Sequence, residues 1–139
     1  MKHVFGVLCA AFCAVSLLSI WDAGPGQAQD KPAVVRTEIL HTDLEGLKDL
    51  EGIMYVTDVA PGGLAPRHTH PGYEFNYVLK GALTFEPDGE APFTLKPGQA
   101  AFNPRDHVHK VSNASATEPA QLVVVLIHEK GKPLAIPAN

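Results

Sequence analysis

Cysteine is nearly absent from this chain, and the little there is falls in a segment expected to be removed. The 139 residues hold two cysteines, Cys9 and Cys13. Both sit in the apolar stretch Val4–Ile20, which follows a short polar start at Lys2 and His3 and precedes a Gly/Pro/Gln break. That pattern reads as a secretory signal, with Gly26-Gln27-Ala28 as the small-x-small site and cleavage after Ala28. An uncleaved anchor is the competing reading, since Val4–Ile20 lies at the short edge of a membrane span. No arginine pair precedes the apolar core, which points to the general secretory route. Residues 29–139 would then carry neither disulfide nor thiolate ligand, so any metal site must be built from nitrogen and oxygen. Excess positive charge is also missing. The net charge is −4, which leaves no footprint for nucleic acid and no basic patch for stable membrane association after cleavage. A small molecule or an ion is the expected partner, and the protein is expected to be exported, periplasmic or secreted from a bacterium.

Helical periodicity is the third absence. From Val34 onward short β-prone runs alternate with turn residues. Val34 to His41, Ile53 to Ala60, Tyr73 to Lys80, Ala82 to Glu86, Phe93 to Leu95, Ala100 to Asn103 and Gln121 to Glu129 read as strands. Thr42 to Glu51 reads as a polar loop or short helical turn. Pro61-Gly62-Gly63, Pro87-Asp88-Gly89-Glu90 and Lys96-Pro97-Gly98-Gln99 read as turns, the Asp-Gly pair marking a hairpin. The run Gln121 to Glu129 is apolar on both faces, which suits a sheet centre or a subunit interface. Many short strands at close spacing predict an all-β barrel or sandwich. The expected division is 1–28 signal, 29–51 N-terminal strand and loop, 52–128 barrel, and 129–139 an extended tail able to lie across a partner subunit.

What is abundant is histidine at informative spacing. His68 and His70 are two apart on an expected strand and so share a face. Pro71-Gly72 can turn the chain so that Glu74 faces the same point. A second cluster, Pro104-Arg105-Asp106-His107-Val108-His109 followed by Asn113, lies downstream. Imidazoles with a carboxylate suit a divalent transition ion such as Fe, Mn, Ni, Cu or Zn. Export favours Cu or Zn as isolated, because these outcompete Mn and Fe for nitrogen ligands.

The run Gly62-x5-His68-x-His70-x3-Glu74-x6-Gly81 resembles the first signature motif of the cupin superfamily at each fixed position. Gly98-x5-Pro104-x-Asp106-x2-His109-x3-Asn113 resembles the second, with Asp106 where the family usually has glycine. Asp tolerates the left-handed turn better than most residues, so the turn can survive the change. Only 16 residues separate the motifs, as in small single-domain cupins, and the likeness runs from Ile53 to Ile127. The resemblance implies a jelly-roll barrel (the cupin double-stranded β-helix) with one metal held by His68, His70, Glu74 and His109. Up to two positions on an octahedral ion would remain open.

Among functions, the resemblance points first to a metal-dependent oxygenase of the quercetinase-like kind, with Glu74 as ligand and candidate base. A non-enzymatic metal or small-molecule binding module is the alternative, and a sugar isomerase ranks lower. Asn76, Tyr77, Phe102 and His107 are candidate pocket residues. Asn76 shares the face of Glu74, whereas His107 follows the Asp106 turn, where alternation can fail. Tyr73, Phe75 and Phe85 are expected in the core, and His41 and His128 at solvent-facing strand ends. Arg67 and Arg105 either steer an anionic substrate or are solvated surface charges. A homodimer is expected, by strand exchange or sheet stacking.

Overall fold

The computed structural model describes residues 32–139, so the expected signal segment 1–28 lies outside the described residues. Ten strands are present: β1 (Val34–Asp43), β2 (Leu50–Val59), β3 (Leu64–Thr69), β4 (Gly72–Lys80), β5 (Leu83–Pro87), β6 (Phe93–Leu95), β7 (Ala100–Asn103), β8 (His109–Asn113), β9 (Ala120–Glu129) and β10 (Ile136–Pro137). No helix occurs among the described residues, and none there could cross a membrane. The strands form two five-stranded antiparallel sheets, ordered β1-β2-β9-β4-β7 and β10-β3-β8-β5-β6. The chain switches sheet at every step from β2 to β5 and again from β6 to β10. The expected all-β jelly-roll barrel is the architecture found.

Because strand residues alternate between faces, every second side chain of each sheet points inward. Val78, Leu83, Phe85 and Leu126 are at most 1 % exposed and form the middle of the core. Each contributes roughly 1.5–3 kcal/mol by leaving water. The doubly apolar run takes the central place foreseen for it: β9 lies between β2 and β4 along its whole length.

Two backbone positions fix the crossings between sheets. At Gly81 φ is +72°, and a Cβ there would come within 2.8 Å of the Ala120 Cα. At Gly72 a Cβ would collide with the Ile127 carbonyl oxygen. Only glycine lets β4 approach β9 this closely. Asp106 adopts the left-handed conformation, φ 59°, in the place where glycine was expected.

The Thr42 to Glu51 stretch is less of a loop than its polarity suggested. Pairing of β1 with β2 runs from Val34 opposite Val59 to Asp43 opposite Glu51, so the ladder captures its polar ends. The C-terminal segment also differs from expectation. It is extended, but it packs on its own barrel, with Ile136 opposite Thr69 and Pro137 opposite His68.

Candidate metal centre

Three strands and one turn bring the four predicted ligands together. His68 is next to last in β3, His70 sits at the corner between sheets, Glu74 is on the inner face of β4, and His109 opens β8 opposite His68. All four are buried, from 1 % exposed at His109 to 8 % at His68. One ring nitrogen from each of His68, His70 and His109 lies within 4.8 Å of the others, close enough to share an ion. Glu74 Oε1 is 3.3 Å from His70 Nε2, and Glu74 Oε2 is 3.3 Å from His109 Nε2.

The imidazoles are oriented by the backbone. His68 Nδ1 lies 2.6 Å from the Pro66 carbonyl oxygen, His109 Nδ1 lies 3.2 Å from that of His107, and His70 Nδ1 meets that of Leu134. A carbonyl can only accept, so each Nδ1 must carry a proton, which in the neutral ring leaves the lone pair on Nε2. This is the arrangement that fixes tautomer and ring direction in metal-binding histidines. His70 Nε2 is buried with no hydrogen-bond partner and lies 3.3 Å from Glu74 Oε1. An unsatisfied buried nitrogen facing two more imidazoles and a carboxylate fits a cation. The residues present therefore suit the implied metal.

Burial pushes the His68 pKa down to about 4, despite the Pro66 carbonyl, so the ring stays neutral and ligand-ready. Burial works the same way at His70, but the Glu74 carboxylate and the Leu134 carbonyl outweigh it and raise that pKa. At Glu74 burial favours the neutral acid, yet the His109 and His70 rings hold the pKa well below its ordinary value. Glu74 is thus a standing carboxylate, better suited to ligation than to taking a proton.

Asn103 is a site residue that the sequence reading missed. It stands opposite Glu74 in the ladder, and its Nδ2 donates to Glu74 Oε2 at 2.5 Å. The signal was the alternation of β7, which sends Ala101 and Asn103 inward and Phe102 outward. The Leu134 carbonyl was also missed, since no local pattern predicts the tail's return.

Beside the centre lies a chamber of about 30 Å³, lined by His68, Glu74 and His109 with Tyr55, Thr57 and Asn76. Burial, with the Glu74 charge, pushes the Tyr55 hydroxyl up, so it remains protonated. A vestibule of about 200 Å³ adjoins at His68 and is flanked by Arg36 and Arg67. Asn76 is placed as expected. Tyr77 and Phe102 are not: they are 47 % and 52 % exposed, on the outer face of their sheet. Both occupy odd positions relative to Glu74 and Asn103, so strand alternation turns them away from the interior. Tyr73 and Phe75 are outside for the same reason, while Phe85 is in the core.

His107 turns aside as well. Its Nε2 lies 3.1 Å from the Asp88 carbonyl, because the left-handed Asp106 ends the alternation before β8 begins. His128, expected at the surface, is fully buried, with Nε2 3.0 Å from the Pro133 carbonyl under the returning tail. His41 is exposed as foreseen. Asn113 Nδ2 donates to the carbonyls of Ala60 and Glu118, stapling two loops far from the centre. Arg67 is paired with Asp88 and Arg105 with Glu129, so neither is free to steer a ligand.

Comparison with known proteins agrees with this geometry. The Cupin_2 family, described as a cupin domain, matches residues 55–126. Germin-like protein 1 of Brassica napus is 42 % identical over 71 residues, covering 48 % of this chain and 34 % of that protein. The chain thus spans about a third of that relative's length. A cupin-like protein from Thermotoga maritima superposes with a TM-score of 0.64 at 22 % identity, covering 78 % of each chain. A recombinant oxalate oxidase in complex with glycolate gives 0.61 at 25 % identity, covering 81 % of this chain and 58 % of that one.

Proposed function

The chain belongs to the cupin-domain family, and on that premise we propose an exported, dioxygenase-like enzyme holding one divalent transition metal and acting on a small organic substrate. The observation that carries the reading is the convergence of three imidazoles, each fixed by a backbone carbonyl at Nδ1, beside a small chamber that adjoins a vestibule of about 200 Å³ at His68. A bound ion would supply Lewis acidity and, if redox-active, a route to dioxygen chemistry. The protein's own contribution is to aim three imidazoles through their Nδ1 contacts, to keep His68 neutral by burial, and to hold the Glu74 carboxylate in place with a hydrogen bond from Asn103. Apolar walls at Val111, Leu122 and Val124 limit water at the centre. An oxalate oxidase among the proteins sharing this fold supports oxidative chemistry.

Oxygen uptake by metal-loaded protein offered flavonols, catechols and diketones tests the reading. Consumption that depends on His70 supports it; saturable ligand binding without turnover would favour a binding module instead. The proposal includes a homodimer through the outer face of the β1-β2-β9-β4-β7 sheet. Tyr73, Phe75, Tyr77, Leu79 and Phe102 are exposed there, and Met54, Val56, Val123 and Val125 flank them. Five strands at ~4.8 Å spacing and about eight residues in length give roughly 600 Å² per copy, about 1,200 Å² in all. That reaches the lower range of stable interfaces. Export rests on the N-terminal pattern of residues 1–28 and is tested by locating the mature N-terminus.

A further inference from the structure

The chamber beside the centre contains polar groups with nothing to bond. Thr57 and Asn76 are 5 % and 3 % exposed, and Thr57 Oγ1 and Asn76 Nδ2 have no hydrogen-bond partner. Buried polar groups in folded proteins are nearly always satisfied, so two unmet groups around one cavity mark a place for a hydrogen-bonding guest. Asn76 lies one inward position beyond Glu74 on β4, level with Val124 of β9 and Tyr55 of β2, and Thr57 is the next inward residue of β2.

The same cavity has a cation at its mouth. Arg36 stands opposite Thr57 in the β1–β2 ladder, so the two side chains share the inner face. Its guanidinium carbon lies 6.0 Å from the Tyr55 ring centroid, and the residue borders both the chamber and the vestibule. Unlike Arg67 and Arg105, Arg36 has no carboxylate within ion-pair distance among the described residues. Donors at two depths and an unpaired cation at the mouth call for an anionic guest rich in acceptors. The apolar walls Val59, Val111 and Leu122 suit a short carbon skeleton.

We propose that this chamber is a subsite for the carboxylate of a small organic ligand. Arg36 and Thr57 take the carboxylate, and Asn76 donates to a ligand oxygen nearer the metal. The planar guanidinium matches a planar carboxylate through paired N–H donors. This rests on the metal-centre reading for its full affinity, because a bound ion would offset the Glu74 charge, which weakens but does not abolish anion binding at Arg36 on the far side of the chamber.

Calorimetric titration of zinc-loaded protein with malonate tests the subsite, with malonamide as the uncharged control and metal content measured in each sample. Arg36→Met is expected to weaken malonate about tenfold or more at unchanged zinc content, with malonamide binding weakly to both proteins. Arg36→Lys should recover part of the loss, and Thr57→Val should cost less than Arg36→Met. Equal malonate affinity in the wild type and Arg36→Met overturns the subsite, as does malonamide binding as tightly as malonate. Phosphate displacing malonate at equal concentration overturns the carboxylate assignment. Zinc failing to bind the wild type would instead overturn the metal centre. In that case an Arg36-dependent malonate signal from metal-free protein would still support the subsite, and no signal would overturn it.

Discussion

Along β4 the inner residues are Gly72, Glu74, Asn76 and Val78, and the outer ones are Tyr73, Phe75, Tyr77 and Leu79. The inner set is buried and carries a carboxylate and an amide; the outer set is apolar and 42–47 % exposed. A half-buried antiparallel strand ordinarily shows the opposite, apolar inside and polar outside. Buried polar groups are retained where they are matched by partners or by a ligand, and for Glu74 the match is the histidine cluster with Asn103, while the Asn76 amide is left unmatched. Exposed apolar surface on this scale points to something that covers it. The two faces of one strand therefore teach different things: the inner face describes a site, and the outer face the surface on which the proposed dimer would form.

The most damaging substitution on the inner face should be His70→Ala. We expect metal content to fall from about one ion per chain to a trace, read by elemental analysis of the purified protein. Equal metal in both proteins would remove the assignment. On the outer face, Phe75→Lys combined with Phe102→Lys should convert a dimer to a monomer in sedimentation while leaving metal content unchanged. A monomeric wild type, or metal loss in this variant, would break the contrast between the faces.

Asn103→Ala should act on the inner face at one remove, weakening metal binding roughly 10–100-fold, as lost partners of metal ligands do. Competition with a chromophoric chelator measures it. pH should sharpen the same face. Protons compete with the metal for Nε2, so apparent affinity should fall as pH drops through the histidine range. The raised His70 protonates first, while His68 resists until about pH 4. Metal retention that is flat from pH 7.5 to 5 would contradict this. The smallest effect is expected from Tyr77→Phe, which should leave metal and ligand affinity unaltered, since the ring points away from the centre.

The ligands were legible because each sits in a short local pattern. Two-residue spacing placed His68 with His70, and the Pro71-Gly72 corner placed Glu74. The same alternation rule separates Asn76 from Tyr77 and Asn103 from Phe102, once the strand's inner parity is set by Glu74. Reading aromatic residues as pocket lining overlooked that parity, and the error came from judging by residue type. Alternation gave no guidance at His107, because the left-handed Asp106 interrupts the strand.

Strand order and side-chain alternation follow from local chemistry: β-branched and aromatic runs, glycine at tight crossings, and histidines at fixed spacing. These determined from the sequence alone an all-β barrel or sandwich and a grouping of His68, His70 and Glu74, while the jelly-roll barrel and His109 as fourth ligand followed from the resemblance of the two motifs to the cupin signatures. What only the tertiary structure decided depends on contacts between residues far apart in the chain. The tail returns so that Leu134 orients His70, His128 is buried beneath it, and Arg36 comes to a chamber whose lining extends as far along the chain as His109 and Val124. No local pattern carries such contacts, because they arise from the packing of whole sheets rather than from the preferences of neighbouring residues.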